Sequence, residues 1–294
     1  MKFRALLMDV AAMKNFLNTV NSLSKLSRDC VMRIVARKVY FIIPDEDTGP
    51  RKPLVWCELP VSFYFKEFNL EGVSQEHNEI YLCFATPMLA KSLSALKQNA
   101  KSLKIKLTNK QSPCLTLEIE LGTNEGLQSR QLIHDIPVEV IARKNWSDYA
   151  EPQFNDFHVS IEMPHLKPVK NIVERMKNMS HALIVSANKF GKLSLQIKTN
   201  MVNLSAHFTN LGIHSFAVGH SADAEGNNHE LGESTDETTV SATIDIKKFL
   251  MFLSGMQINN CQTNCSIVHG KMVKLSIEQV GVLSLQCFFT ELST

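Results

Sequence analysis

Residues 79–108, EIYLCFATPMLAKSLSALKQNAKSLKIKLT, decide the fold class of this chain because they join two strands through one helix. The flanking runs EIYLCFA and SLKIKLT are short and rich in apolar residues, which predicts a strand on each side. The helix predicted between them, over 86–101, is indicated by apolar residues at helical spacing, namely Leu89, Leu93, Leu96 and Ala100. Such units build an α+β protein.

The same arrangement occurs in both halves of the 294 residues. Three further windows, 10–28, 165–180 and 246–257, carry an apolar stripe at helical spacing, and Asp9 and Asp245 stand where N-caps belong. Most of the remaining chain consists of closely spaced alternating runs, which predict antiparallel strands. Each half reads strand, helix, several strands, helix, several strands, which is an internal duplication of pattern. We therefore predict two similar domains, the first spanning 1–142 and the second spanning 158–294.

Two segments lack this periodicity. Residues 143–157, RKNWSDYAEPQFNDF, are predicted to connect the domains, and they hold four aromatic side chains, Trp146, Tyr149, Phe154 and Phe157. Two interpretations of these aromatics stay open: they form a docking site for partners, or Trp146 and Phe154 pack inward and hold the connector in place. Residues 214–237 contain six acids and neither Lys nor Arg, and we expect them to form a mobile acidic loop.

Several classes of function lack support in the sequence. The chain has no apolar run of the roughly 18 residues that a membrane span needs, so we expect a soluble protein without a membrane partner. The odd number of cysteines, 7, predicts buried free thiols in a reducing compartment. Cys261, Cys265 and His269 have a metal-like spacing but no fourth ligand nearby, and nucleophile and phosphate-binding motifs are missing. We therefore predict no metal site, no cofactor and no enzymatic activity.

The charges are unevenly distributed, although the net charge is only +2. The four helical windows hold 12 of the 31 Lys and Arg residues but 1 of the 29 Asp and Glu residues, which leaves 19 bases and 28 acids elsewhere. Lys14 and Lys25 nearly eclipse each other opposite Phe16 and Val20. A single exposed helix face is often rich in lysine, but such faces usually mix both signs. Four helices almost free of acids predict a shared basic surface that faces a polyanion.

Short stretches throughout the chain resemble one known family. They include MKFRA at the N-terminus, KLSRDCVMRI, FNLEGVS, HDIPVEVI with RKNW, IVERMKNMS and DIKKFLMFL, in the same order from residue 1 to about 290. The family is the hydroxyurea-sensitive subunit of the nine-one-one checkpoint clamp, a heterotrimer similar to the replication clamp PCNA. The resemblance implies two PCNA-like domains with antiparallel sheets outside and four basic helices lining a ring.

The resemblance also implies a function. It is that of a noncatalytic nuclear subunit, with a possible cytoplasmic pool, that encircles double-stranded DNA at damage or stalled forks. Such a subunit activates checkpoint kinase signalling and recruits DNA repair enzymes. The partners implied are two other PCNA-like checkpoint clamp subunits, a replication-factor-C-like clamp loader and repair enzymes. The alternatives are a generic β-rich protein-interaction scaffold without DNA encirclement and an enzyme that uses Cys and His chemistry.

The site residues follow from the charge pattern and from the resemblance. The residues predicted to face DNA phosphates are Lys14, Lys25, Lys97, Lys101, Lys170, Arg175, Lys177, Lys247 and Lys248. By resemblance, the strand Cys114–Leu121 ends the sheet of the first domain and Met201–Phe208 ends that of the second. The subunit-interface residues so implied are Cys114, Thr116, Leu117, Ile119, Leu121, Met201, Asn203, Leu204, Ala206 and Phe208.

Overall fold

A computed structural model describes residues 1–45, 49–122, 130–152, 157–216, 239–255 and 261–292. The chain divides into two compact units, and the main break falls after Pro152, within the predicted connector. The units are not two continuous ranges, because residues 277–286 near the C-terminus belong to the first unit.

Each of the four helical windows forms a helix. The helices are α1 (Val10–Leu26), α3 (Thr86–Leu93), α4 (Leu166–Met176) and α5 (Ile246–Gly255), and a four-residue helix, α2 (Val61–Tyr64), lies between α1 and α3. The window 86–101 was predicted too long: α3 continues as a 3-10 helix over Ser94–Lys97, and the chain then enters a strand. The turn at Gln98 and Asn99, where Asn99 has a positive φ of 53°, ends the helix before Lys101.

Aspartates cap two of these helices, as predicted. The side chain of Asp9 accepts a hydrogen bond from the Ala12 backbone N–H at 2.8 Å. One Asp245 oxygen accepts from the backbone N–H groups of Lys247 and Lys248 at 2.7 and 2.9 Å. These N–H groups have no partner within the helix, so the carboxylates satisfy donors that would otherwise need water.

The first unit contains a five-stranded antiparallel sheet in the order β5-β1-β7-β8-β9. Its strands are β1 (Lys2–Leu7), β5 (Glu67–Glu71), β7 (Ala100–Asn109), β8 (Pro113–Leu121) and β9 (Arg130–Pro137). The other strands of this unit pair in the order β10-β6-β2-β3-β4. They are β2 (Asp29–Ile34), β3 (Lys38–Asp45), β4 (Gly49–Pro60), β6 (Ile80–Ala85) and β10 (Glu139–Val140).

The prediction that Cys114–Leu121 ends its sheet is wrong. That segment is β8, which pairs with β7 on one side and with β9 on the other, so β9 is the edge strand. The sequence of β9, RQLIHDIP, lacks the regular apolar alternation of a central strand. An edge strand is stabilised by backbone bonds along one side, and it does not need the strong apolar alternation of a central strand.

The second unit contains a four-stranded antiparallel sheet in the order β14-β13-β12-β16. Its strands are β12 (Ala182–Asn188), β13 (Leu193–Lys198), β14 (Asn203–Phe208) and β16 (Thr239–Asp245). The strand β11 (Val159–Glu162) pairs with β15 (Ile213–Phe216) and β17 (Gln262–Val268). The chain ends with β18 (Met272–Gln279) and β19 (Leu283–Thr290).

The strand β14 is an edge strand of its sheet, as the resemblance implied. It begins at Asn203, so Met201 lies in the preceding turn, where the backbone N–H of Val202 donates to the Thr199 hydroxyl at 3.0 Å. The predicted acidic loop is wrong at its start, because residues 214–216 belong to β15 and pair with β11. The remainder of that segment, up to residue 237, lies outside the described residues.

The core of the first unit forms where α1 lies against the strands. Phe16 is buried, and its ring centroid lies 6.1 Å from those of Phe41 in β3 and Tyr64 in α2. Ser22 of α1 is also fully buried, so the exposed face of the helix that carries Lys14 and Lys25 is narrow. All seven cysteines are free, and five of them are buried. Burial raises the pKa of the Cys265 thiol to about 12, which keeps it protonated and unreactive.

Replacing Asp9 by Ala is expected to lower the free energy of unfolding by about 1 kcal/mol. The variant loses the hydrogen bond to Ala12 and the favourable charge at the N-terminus of α1. Asp9→Asn keeps the hydrogen bond and should retain most of the stability. Urea unfolding followed by circular dichroism measures both variants, and an Asp9→Ala midpoint equal to that of the original chain would contradict the assignment.

Candidate functional site

The basic face of α1 is exposed, as predicted. Lys14 and Lys25 are both exposed, three turns apart and about 16 Å along the axis, and they lie opposite the buried Phe16 and Val20. Because the apolar stripe is buried against the strands, the two ammonium groups project away from the core. This geometry presents two cations in line to an external partner.

The helices of the second unit carry the same type of face. Arg175, Lys177 and Lys247 are exposed, and Val169 and Val173 of α4 are buried on the opposite side. Lys170 is half-buried and forms an ion pair with Glu174, the single acid of the helical windows, at 3.5 Å. Lys248 is also half-buried. Five of the predicted cations therefore lie on or next to α4 and α5, with differing exposure.

The last two predicted cations lie on different elements. Lys97 ends the 3-10 helix after α3, whereas Lys101 is in β7, although both side chains are exposed. Lys101 is therefore not part of a helix face, because the chain reverses at Asn99.

Several cations of the five-stranded sheet behave differently, because they pair with acids on neighbouring strands. Lys104 and Lys106 of β7 contact Glu118 of β8 at 3.4 and 2.6 Å, and these contacts lower the pKa of the Glu118 carboxyl. Lys2 contacts Glu71 at 2.9 Å in the same sheet. Exposed pairs of this kind contribute little to stability, but they neutralise the sheet face. The excess positive charge therefore resides on the helices.

The edge strands that bear on the predicted subunit interface are β9 in the first unit and β14 in the second. On β9, Ile133 is 57% exposed, and Asp135 accepts hydrogen bonds from Lys110 and Thr116, both at 2.6 Å, which lowers its pKa. On β14, Leu204 is 37% exposed. Both strands present one row of backbone N–H and C=O groups on the side away from their sheet, which is the arrangement that strand addition requires.

The first part of the connector is held against the first unit. Residues Arg143–Tyr149 form a 3-10 helix, and the Trp146 ring stacks on Tyr81 of β6 with centroids 4.6 Å apart. The Trp146 indole N–H donates to the Ile141 carbonyl at 3.0 Å. The Arg33 guanidinium lies 5.6 Å from the Tyr81 ring centroid and donates a hydrogen bond to the Glu79 carboxylate at 2.8 Å. Trp146 therefore anchors the connector.

The other connector aromatics are placed differently. Tyr149 is half-buried, and burial raises its pKa. Phe157 is half-buried beneath the Lys274 ammonium, which lies 4.4 Å from the ring centroid, and burial lowers the pKa of Lys274. Phe154 lies outside the described residues.

The candidate metal ligands have other roles. Cys265 is fully buried in β17, and His269 uses its Nδ1 atom to accept a hydrogen bond from the Ser241 backbone N–H at 3.1 Å. Within the described ranges, no group of three His, Cys, Asp or Glu side chains has a geometry that could hold a metal ion. Among the described helices, none is long and apolar enough to cross a membrane.

The fold defines the class of protein. The chain superimposes on PCNA from Thermococcus kodakaraensis with a TM-score of 0.64 and 12% identity, covering 98% of this chain and 99% of that one. PCNA from Entamoeba histolytica gives a TM-score of 0.66 and 13% identity, with 99% of both chains covered. The chain therefore has a PCNA-like clamp fold, with mostly antiparallel sheets and a few helices, and the prediction of the fold class is confirmed.

The sequence comparisons define the family. The model of the Hus1-like protein family matches residues 1–293. Checkpoint protein HUS1 from Homo sapiens is 42% identical over 293 residues, which is 100% of both chains, and Checkpoint protein Hus1-like from Drosophila melanogaster is 28% identical over 95% of this chain and 94% of that protein. The chain belongs to the Hus1-like family. Its PCNA-like fold and this family make it a scaffold rather than an enzyme.

Replacing Trp146 by Ala is expected to release the connector from the first unit, because the stack on Tyr81 and the bond to Ile141 are lost. An aromatic pair of this kind contributes about 0.5–1.5 kcal/mol beyond the area it buries. Limited trypsin digestion should then cut faster after Arg143 and Lys144, both of which are exposed. Ser147→Ala is the control, and unchanged cleavage of the Trp146→Ala variant would show that the stack does not hold the connector.

Proposed function

We propose that this chain is a noncatalytic subunit of a heterotrimeric checkpoint clamp that encircles double-stranded DNA in the nucleus. The observation that carries the proposal is the distribution of charge: the cations of α1 project opposite a buried apolar stripe, whereas Lys104 and Lys106 of the five-stranded sheet pair with Glu118. A polyanion that passes the helices would meet a diffuse positive surface. Lysine and arginine contacts to phosphates are independent of sequence, so they allow a ring to slide.

In this proposal the subunit joins two other PCNA-like subunits by strand addition at β9 and β14. Each edge offers backbone donors and acceptors along one side, and Ile133 and Leu204 supply exposed apolar contacts beside them. Edge strands with such rows pair readily with another chain. Two different partner subunits would then cover both edges and close a ring.

The proposal also includes the transient partners of a checkpoint clamp. A replication-factor-C-like clamp loader would open and close the ring at damaged DNA or stalled forks, and the loaded clamp would activate checkpoint kinase signalling. The connector is the proposed docking site for DNA repair enzymes. Trp146 fixes one end of this segment on the sheet, so a partner would meet a positioned rather than a freely moving chain.

Reversing two charges on α1 is expected to weaken DNA binding without affecting assembly. Lys14→Glu combined with Lys25→Glu should lower the slope of log K against log salt by about 1.8 for duplex DNA, at about 0.9 for each phosphate contact. The matched control is Arg143→Glu combined with Lys144→Glu, which changes the net charge equally on the exposed connector helix. Retention of the assembled clamp on nicked circular DNA, and its release after linearisation, measures encirclement.

Equal slopes and equal retention for the two double variants would contradict the role of the helices. Assembly is checked by size-exclusion chromatography with both partner subunits. A clamp that assembles normally but never remains on circular DNA would favour the alternative function, a protein-interaction scaffold without DNA encirclement.

Proline substitutions on β14 are expected to separate assembly from folding. Adjacent residues of an edge strand direct their N–H groups to opposite sides, so one of Leu204→Pro and Ser205→Pro removes a bond to β13 and the other removes a free donor. The variant that removes the hydrogen bond to β13 should lower the free energy of unfolding by about 3 kcal/mol. The variant that removes the free donor should leave the melting temperature almost unchanged and abolish heterotrimer formation in size-exclusion chromatography. Normal assembly of the stable variant, or a stable homotrimer of this chain, would contradict the proposal.

A further inference from the structure

A long stretch of the second unit contains no acidic residue. Between Glu174 and Asp223 the sequence has neither Asp nor Glu, and it contains five Lys and Arg residues, Arg175, Lys177, Lys189, Lys192 and Lys198. The stretch includes β12, β13 and β14, three of the four strands of the sheet. This face therefore differs from the five-stranded sheet of the first unit, where the lysines of β7 are neutralised by Glu118.

The turn between β12 and β13 presents an aromatic ring to solvent. Phe190 is 73% exposed, and the Lys189 ammonium lies 5.2 Å from its ring centroid. Lys192 follows two residues later. Among the described Phe, Tyr and Trp side chains, Phe190 alone is exposed, so its ring offers an open π-face beside an ammonium group.

The turn is rigidly built. The Asn188 side-chain oxygen accepts hydrogen bonds from the backbone N–H groups of Phe190 and Lys192 at 3.0 and 3.2 Å. Gly191 has a φ of 75°, its carbonyl accepts from the Leu211 N–H at 3.0 Å, and a Cβ at this position would lie 2.5 Å from the Leu211 carbonyl oxygen. Because the backbone of the turn is already fixed, the protein would lose little additional conformational entropy when a ligand binds at Phe190.

The sheet face that continues from this turn carries polar hydrogen-bonding groups and no acid. The Ser194 hydroxyl lies 2.8 Å from His207 Nδ1, and the Gln196 amide donates to the Asn203 side chain at 2.7 Å. Lys198 pairs in register with Asn203 at the far end of β13. The strand spans about 17 Å between Leu193 and Lys198, so cations lie at both ends of a polar face that has no acid.

We propose that this surface, defined by Lys189, Phe190 and Lys192 with the faces of β13 and β14, binds single-stranded DNA. A base stacks on the free face of Phe190, and the lysines contact phosphates at the two ends of β13. Exposed aromatic rings beside cations bind single strands without sequence preference, because every base has a π-face.

Single-stranded DNA fits these observations better than a duplex does. The paired bases of a duplex are already stacked on one another, so along the side of a duplex they offer no free face on which Phe190 could stack. Strand addition at β14 uses the backbone edge and leaves this face open. The inference goes beyond the encirclement of duplex DNA and does not depend on it, because the helix cations take no part in the surface.

The test measures binding of a fluorescein-labelled oligothymidine of about 30 nucleotides to the full chain and to the assembled heterotrimer by fluorescence anisotropy. Phe190→Ala is expected to weaken binding about tenfold, and Phe190→Tyr to retain it, because both aromatic rings stack. Lys189→Gln combined with Lys192→Gln should lower the slope of log K against log salt by about 1.4, at about 0.7 for each phosphate. Val280→Ala, at an 89% exposed residue of another hairpin, is the matched control.

Several outcomes would overturn the inference. The first is that Phe190→Ala binds the oligothymidine as tightly as the original chain does. The second is that Phe190→Ala and Val280→Ala lose the same affinity, and the third is that Phe190→Tyr does not bind it. Binding of an acidic peptide such as poly-glutamate at Phe190, without binding of the oligothymidine, would assign the surface to a protein partner and also overturn it. Lys14→Glu with Lys25→Glu should reduce duplex retention and leave oligothymidine binding unchanged, so failures of the two proposals are distinguishable.

Discussion

The arrangement of this protein depends on one constraint: each helix buries a single apolar stripe against the strands beneath it. In α1 the stripe centres on Phe16, which contacts Phe41 of β3 and Tyr64 of α2. Once that face is fixed, the direction of every other side chain on the helix is fixed as well, because the helical repeat is constant. The exposure of Lys14 and Lys25 is therefore a consequence of core packing. The same reasoning applies to α4, where Val169 and Val173 are buried.

Backbone hydrogen bonding supplies the second constraint. A central strand such as β8 satisfies its polar groups on both sides, whereas β9 and β14 satisfy theirs on one side. In a monomeric protein, exposed edges are a risk of aggregation that side chains or bulges usually counter. In a subunit built to join others, they serve as the interface. The sheet β5-β1-β7-β8-β9 has edge strands β5 and β9, and the sheet β14-β13-β12-β16 has edge strands β14 and β16. The proposed assembly uses β9 and β14.

Charge pairing divides the surface into regions with different properties. In the first unit, Glu118 sits between Lys104 and Lys106, so that sheet face presents paired charges to solvent. The helix faces and the sheet of β12, β13 and β14 lack such counterions in their sequence, apart from Glu174. A protein with a net charge of +2 can therefore offer two separate basic surfaces. Their chemistry differs, because the helices present cations alone and the sheet adds an aromatic ring.

The sequence by itself determined the α+β class, the four main helices, the capping roles of Asp9 and Asp245, and the excess of cations on the helices. These features depend on local periodicity, and the spacing of residues along the chain records it directly. The motifs that resemble the checkpoint clamp subunits added the PCNA-like fold. The end of α3 was missed because the left-handed turn at Asn99, which places Lys101 in a strand, leaves little trace in hydrophobic spacing.

Only the tertiary structure decided which strand lies at the edge of a sheet and which aromatic rings face inward. β9 was missed because an edge strand needs apolar side chains on few positions, and its place beside β8 is set by pairing between residues distant in sequence. The stacking of the half-buried Trp146 on Tyr81 could not be predicted from its neighbours, since Tyr81 lies 65 positions earlier in the chain. Local periodicity indicates which face of an element is buried, whereas contacts between residues distant in sequence determine which element covers that face.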